Sequence, residues 1–174
     1  MACLQKIAKN YVYECGKASD AFGEITEMIV VNPDDIESFT SNGAIAVVLQ
    51  PTKQGYTVQG ANGAIVATFA TKGGETYPLA HDISIAAQIP QTAIVSTEGG
   101  VADMIASNAV IAFKAGQNHY IVGLGAPLSA ISVEATSNAS PSSLVTWGVD
   151  EWQTGTTFYA LPKAQYEALK TPAE

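Results

Sequence analysis

The sequence contains no arginine, and its cationic side chains number eight against sixteen acidic ones, a formal net charge of −8. Nucleic-acid binders gain affinity by neutralising phosphates with basic side chains, so tight binding of DNA or RNA is excluded. Charge of either sign is scarce, at 14% of residues against about 25% in ordinary globular proteins. Two histidines and two cysteines are the whole supply of imidazole and thiolate ligands. Cys3 and Cys15 are too few for a disulfide scaffold and match no zinc or redox spacing. The first residues, Met-Ala-Cys-Leu-Gln-Lys, lack the apolar core of an export signal. No apolar run approaches the roughly 20 residues of a membrane helix. Assembly in the cytoplasm is therefore expected, where the sequon Asn138-Ala139-Ser140 has no consequence.

What is present points to one β-rich domain over 1–174, a length that buries roughly 70% of the unfolded surface without staples. Apolar residues make up 47% of the chain. With much Ala, Gly, Ser and Thr, the surface is polar but weakly ionised, and covering it costs less than covering Lys or Glu. Subunits that pack against several neighbours have this composition, and so do β domains with a quiet surface. An acidic surface also repels DNA, as a conduit for DNA requires.

Residues 76–89 alternate cleanly, with Tyr77, Leu79, His81, Ile83, Ile85, Ala87 and Ile89 on one face. A period of two over this length predicts a half-buried strand, and Pro78 puts its start at an edge or bulge. Further strands are predicted at 25–31, 44–50, 64–71, 110–114, 120–123, 128–135, 145–149 and 156–161. Asn42-Gly43, Asn62-Gly63, Gly73-Gly74 and Gln117-Asn118 supply turns. Short, evenly spaced strands predict an antiparallel β-sandwich or barrel-like domain. One short flanking helix is expected near 101–106, capped by Thr97. A second covers 161–170, where Leu161, Tyr166 and Leu169 can dock it on the sheet. Residues 50–63 read as a long loop or protruding hairpin, and residues 1–22 as an N-terminal arm.

A search for chemistry finds little. His81-Asp82 resembles a phosphohydrolase pair, but neighbours on a strand point to opposite faces, which favours a packed or interface histidine. His119 falls in a probable hairpin turn and reads as exposed. Asp34, Asp35 and Glu37 lack the alternation of a calcium loop and read as a solvated turn. Gly123-Leu124-Gly125 lacks the third glycine of a dinucleotide fingerprint and precedes a predicted strand. Gly99-Gly100 has no lysine beside it to neutralise phosphate, and no Gly-x-Ser-x-Gly elbow occurs. No catalytic residue, metal site or cofactor is expected. Trp147, Trp152, Phe158 and Tyr159 fit core or subunit packing, with a glycan platform as the alternative.

Three stretches together carry a family resemblance. Lys9-Asn10-Tyr11-Val12-Tyr13-Glu14-Cys15 precedes Phe22-Gly23-Glu24-Ile25, and the first strand ends in Val31-Asn32-Pro33-Asp34-Asp35-Ile36. Later, Ala112-Phe113-Lys114-Ala115-Gly116-Gln117-Asn118-His119-Tyr120-Ile121-Val122-Gly123 forms a hairpin closing on Tyr-x-x-Gly. The order resembles the major tail (tail tube) proteins of tailed phages, of the kind found in phages of gut Bacteroidota. Where those proteins carry a doubled glycine before the first strand, this chain has Gly23 alone. The resemblance implies a virion structural protein that assembles with itself into hexameric rings stacked into a channel for DNA. It also implies a loop reaching the next ring, with Gln54, Gly55, Tyr56, Val58, Gln59 and Asn62 as its contact residues. Glu134, Asp150 and Glu151 are candidates for an acidic lumen. A capsid decoration protein, a neck or connector ring subunit and a glycan-binding module are the alternatives.

Overall fold

A computed structural model describes residues 24–59, 63–72, 80–90, 108–136, 142–149 and 158–172. The chain is mainly β, and every strand pair is antiparallel. In chain order the strands are β1 (Ile25–Val31), β2 (Ile36–Thr40), β3 (Ala46–Leu49), β4 (Tyr56–Gln59), β5 (Ile65–Lys72), β6 (Ala80–Pro90), β7 (Val110–Ala115), β8 (Asn118–Val122), β9 (Ser129–Thr136), β10 (Ser142–Gly148) and β11 (Phe158–Ala160). A 3-10 turn at Pro33–Asp35 follows β1, and a six-residue helix α1 (Lys163–Ala168) follows β11. The large sheet runs β11-β8-β7-β1-β5-β6-β10-β9, with β4 also on β1, while β2 and β3 form a separate ribbon.

β1 organises the fold because both of its faces are buried. Met28 and Val30 join a first core with Ile111 and Phe113 of β7, Ile83 and Ile85 of β6, and Val145 and Trp147 of β10. Strands far apart along the sheet therefore meet, so the sheet folds over on itself as two packed layers. Ile29 and Val31 point the other way, into a second core with Val47 and Leu49 of β3 and Leu161, Tyr166 and Leu169. The ribbon and the C-terminal helix thus form a third layer, and the described strands do not close a barrel.

Sequence and structure agree on the alternation of β6, where Ile83, Ile85 and Ala87 are buried and Gln88 is exposed. Leu161, Tyr166 and Leu169 dock the C-terminal segment as expected. The helix expected near 101–106 lies outside the described residues. Two strands were not expected: β2, exposed over most of its length, and β4, with one inward residue, Val58. β4 corrects the reading of 50–63 as a free excursion. Tyr56 to Gln59 pair with β1 from Val30 to Glu27, and the approach to them is tied down. The Gln50 N–H donates to Asp35 O at 2.9 Å, and Lys53 Nζ lies 3.1 Å from the Asp35 carboxylate.

Gly55 explains how closely this segment sits. Its N–H donates to Leu169 O at 2.8 Å, and a Cβ there would overlap Ile29 Cγ2 and lie 3.0 Å from Val31 Cγ2. Glycine is needed here for close approach between layers. Gly55→Ala is expected to lower stability by about 1–3 kcal/mol, the range for overpacking, measured by urea denaturation followed by tryptophan fluorescence. Unchanged stability would mean that the third layer yields easily.

Candidate functional site

Among the described residues, the layer β5-β6-β10-β9 has two open sides. β5 pairs with β6 along all eight residues, but on its other side it meets β1 only at Ile25↔Ile65, because β4 occupies β1 from Glu27 to Val30. At the opposite side, among the described residues, β9 pairs only with β10.

The ladder phase shows which backbone groups face outward. In an antiparallel pair, residues alternate between exchanging hydrogen bonds with the partner and pointing away from it. Gln88 N donates to Ala64 O, so the even-numbered residues of β5 bond to β6. Ala67 and Thr71 turn their N–H and C=O away from β6. Val149 N donates to Ile83 O, so the odd-numbered residues of β10 bond to β6 and the even-numbered ones to β9. Opposite them Ser132 and Glu134 are engaged, leaving Val133 and Ala135 facing outward.

The edges carry little of the usual protection: Lys72 at the end of β5 and a bulge at Ile131 of β9. Natural edge strands are blunted by lysines, prolines or short length, yet β5 and β9 each have eight residues, one charged residue and no proline. The described side chains on the outer face between them carry no charge, while Lys72, Asp82 and Glu134 share its register phase. Val66, Ala86, Thr146 and Ser132 stand opposite one another across four strands, beside exposed Leu144 (38%) and Ile131 (63%).

A polar clasp holds the third layer in place. Tyr166 Oη donates to Glu27 Oε1 at 3.0 Å, Gln59 Nε2 donates to Glu27 Oε2 at 3.0 Å, and Lys170 Nζ lies 2.6 Å from Glu27 Oε1. Burial pushes the Glu27 carboxyl up, but hydrogen bonds from Lys170, Gln59 and Tyr166 outweigh it and leave it below its ordinary range. The hydrogen bond from Asn32, opposed by burial and aided by Lys53, likewise lowers Asp35.

His119 corrects an expectation: it is 8% exposed, on β8, and stacks on Tyr166 at 4.7 Å between ring centroids. The hairpin turn is Gly116-Gln117, with Gly116 at φ 60°, so Asn118 already belongs to the strand. Burial, with Lys114, Lys163 and Lys170 nearby and opposed by Glu167, lowers its pKa. Asp35 is a second correction, since it is 8% exposed and paired rather than solvated. Asp34 and Glu37 remain exposed.

The expected loop contacts divide. Tyr56 and Gln59 are exposed on β4, Gln54 is half-buried, Gly55 and Val58 are buried, and Asn62 lies outside the described residues. Gly55 and Val58 therefore serve packing within the subunit, and deleting 54–62 would remove a sheet strand. Of the lumen candidates, Glu134 lies on β9 in register with Leu144; Asp150 and Glu151 lie outside the described residues. Trp147 is fully buried in the first core, out of reach of a sugar, and Trp152 lies outside the described residues. His81 and Asp82 lie on β6 opposite Thr71 and Ala70. Among the described residues, no three His, Cys, Asp or Glu side chains gather as a metal site, and no helix is long and apolar enough to cross a membrane. Comparison with protein-family models, curated proteins and solved structures finds no match to this chain.

The clasp predicts acid sensitivity in two stages. For His119 the lowered folded pKa means that the unfolded chain takes its proton first, so stability falls as pH drops below 6.5. Glu27 and Asp35, also lowered, contribute stability above their ordinary values of 4.5 and 3.8 and lose it as pH falls through their folded pKa values. Tm measured from pH 8 to 3 is expected to decline from about 6.5, more steeply below about 4.5. His119→Phe should remove the first stage only. A flat profile down to pH 4 would contradict the burial of His119.

Proposed function

We propose that this chain is a ring-forming structural subunit of a virion, of the tail tube kind, in which copies join head to tail through the open sides of β5 and β9. The observation that carries the reading is the pair of long edges on one four-stranded layer that have no continuous partner among the described residues. Four is an even number, so β9 of one copy runs antiparallel to β5 of the next when all copies share one orientation. A cyclic array then continues the alternation across every junction, and closure removes the edges that an open sheet exposes.

Six copies would give a wall of about 24 strands, at about 4.8 Å per strand a bore of roughly 37 Å between backbones before tilt widens it. The outer face would line that bore, since the inner face is filled by the first core. Its described side chains are uncharged, mostly small, hydroxylic or aliphatic, and Lys72 is the single lysine in that register phase. With the chain's net charge of −8, such a wall lets DNA pass without adhering. Virion localisation and partnership with other virion proteins belong to this reading, and catalysis does not.

Proline at an edge position whose N–H faces outward removes an intersubunit donor while sparing the internal ladder. Ala67→Pro on β5 and Ala135→Pro on β9 are each expected to abolish rings in negative-stain electron microscopy and to leave a folded subunit by circular dichroism. Rings formed by either folded variant would refute the edge junction. Absence of rings in the unsubstituted protein at every concentration and ionic strength would weigh against the function itself.

A further inference from the structure

A groove of about 430 Å³ lies between the ribbon and the turn after β8, lined by Ile36, Glu37, Phe39, Val110, Leu124 and Pro127. Its rim is β2, which among the described residues pairs only with β3 and so leaves one edge open. Phe39 is 42% exposed and reaches over Gly125, whose φ of 81° turns the chain tightly beneath it. The groove thus has an apolar floor, a strand edge able to accept an extended peptide and one charged lining residue, Glu37.

We infer that this groove receives the segment preceding β1, residues 1–23, from the next copy along the stack, an inference that rests on the stacked-ring reading. Three arguments favour this occupant. The first is sequence: Tyr11-Val12-Tyr13 has the aromatic and β-branched character of an added strand. The second is charge: the segment carries Lys6, Lys9 and Lys17 against Glu14 and Asp20, so it is cationic relative to an acidic body and suits the carboxylate at the rim. The third is position. Glu24 lies at the β7–β8 hairpin, where its carbonyl accepts the Gly116 N–H. The groove lies at the opposite end of β1 and β7, beside Val110, which pairs with Val31. Those ends are about 20 Å apart at about 3.3 Å per residue. Copies stacked end to end therefore bring the segment of one to the groove of the next. Such a contact is heterologous and open-ended, as axial growth requires.

The chain's two cysteines both lie in that segment, at Cys3 and Cys15, which allows a direct test in the full-length protein. Ser38 lines the groove and is exposed, so Ser38→Cys places a third thiol at the rim without disturbing a core. After mild oxidation, a non-reducing gel is expected to show a ladder of covalent oligomers absent from the unsubstituted chain. Mass mapping should assign the new link to the introduced thiol and Cys15 or Cys3 of another chain. Adding Phe39→Asp to the same variant should reduce the ladder at least tenfold. A link within one chain, or no link between the introduced thiol and either native cysteine, overturns the inference. Stacked rings without the link would leave the ring reading standing. The link in a preparation that forms no rings would remove that reading and keep the docking contact.

Discussion

The architecture depends on the competition for one side of β1. Backbone donors and acceptors must be paired when buried, and β1 has only one edge left once β7 has taken the other. β4 takes Glu27 to Val30 of that edge, leaving β5 a single contact at Ile25. The large sheet is therefore continuous through one bridge and free to fold there. The fold sets Met28 and Val30 against β6 and β10 and creates the first core. Among the described residues, the same competition leaves β5 without a partner beyond Ile65 on that side, so the edge argued to bind a neighbour follows from how the core forms.

The third layer secures that arrangement from behind. β4 can hold its place only if the chain before it stays close to β1. Gly55 achieves this by lacking a side chain between Ile29 and the end of the C-terminal helix. Glu27 then links three elements at once: its own strand, β4 through Gln59, and the C-terminal segment through Tyr166 and Lys170. A helix of six residues has little stability alone, so its position comes from Leu161, Tyr166 and Leu169 in the second core and from this carboxylate. Under the proposed edge junction, assembly and acid response would be coupled through β1, since loosening the clasp frees β4.

The strands that bury alternate residues were legible in the sequence. β1 was placed over Ile25–Val31, and β5, β6, β7 and β9 within a residue or two at the ends that can be compared, because hydrophobic alternation reports burial directly. β2 and β4 were not legible for the same reason: Glu37, Ser38, Phe39 and Thr40 are all exposed, and Val58 is the single buried residue of β4. Their strand character comes from pairing with β3 and β1, which no local pattern records. His119 and Asp35 were misjudged because sequence separates them from what buries them. Tyr166 lies 47 positions from His119, and Lys53 lies 18 positions from Asp35. The open edges of β5 and β9 were equally hidden, since an edge is a statement about which strand is missing beside it.

The edge junction makes a claim about individual amides. The outward N–H groups of Ala67, Thr71, Val133 and Ala135 have no partner among the described residues, and pairing between copies would place them in a ladder. Amide hydrogen exchange compared between subunit and assembled ring tests this most directly. Slowing at these four positions, with the inward residues Thr68 and Ser132 already protected in the subunit, is the predicted result. Equal exchange at the four positions in both states would show that rings, where they form, are built through another surface.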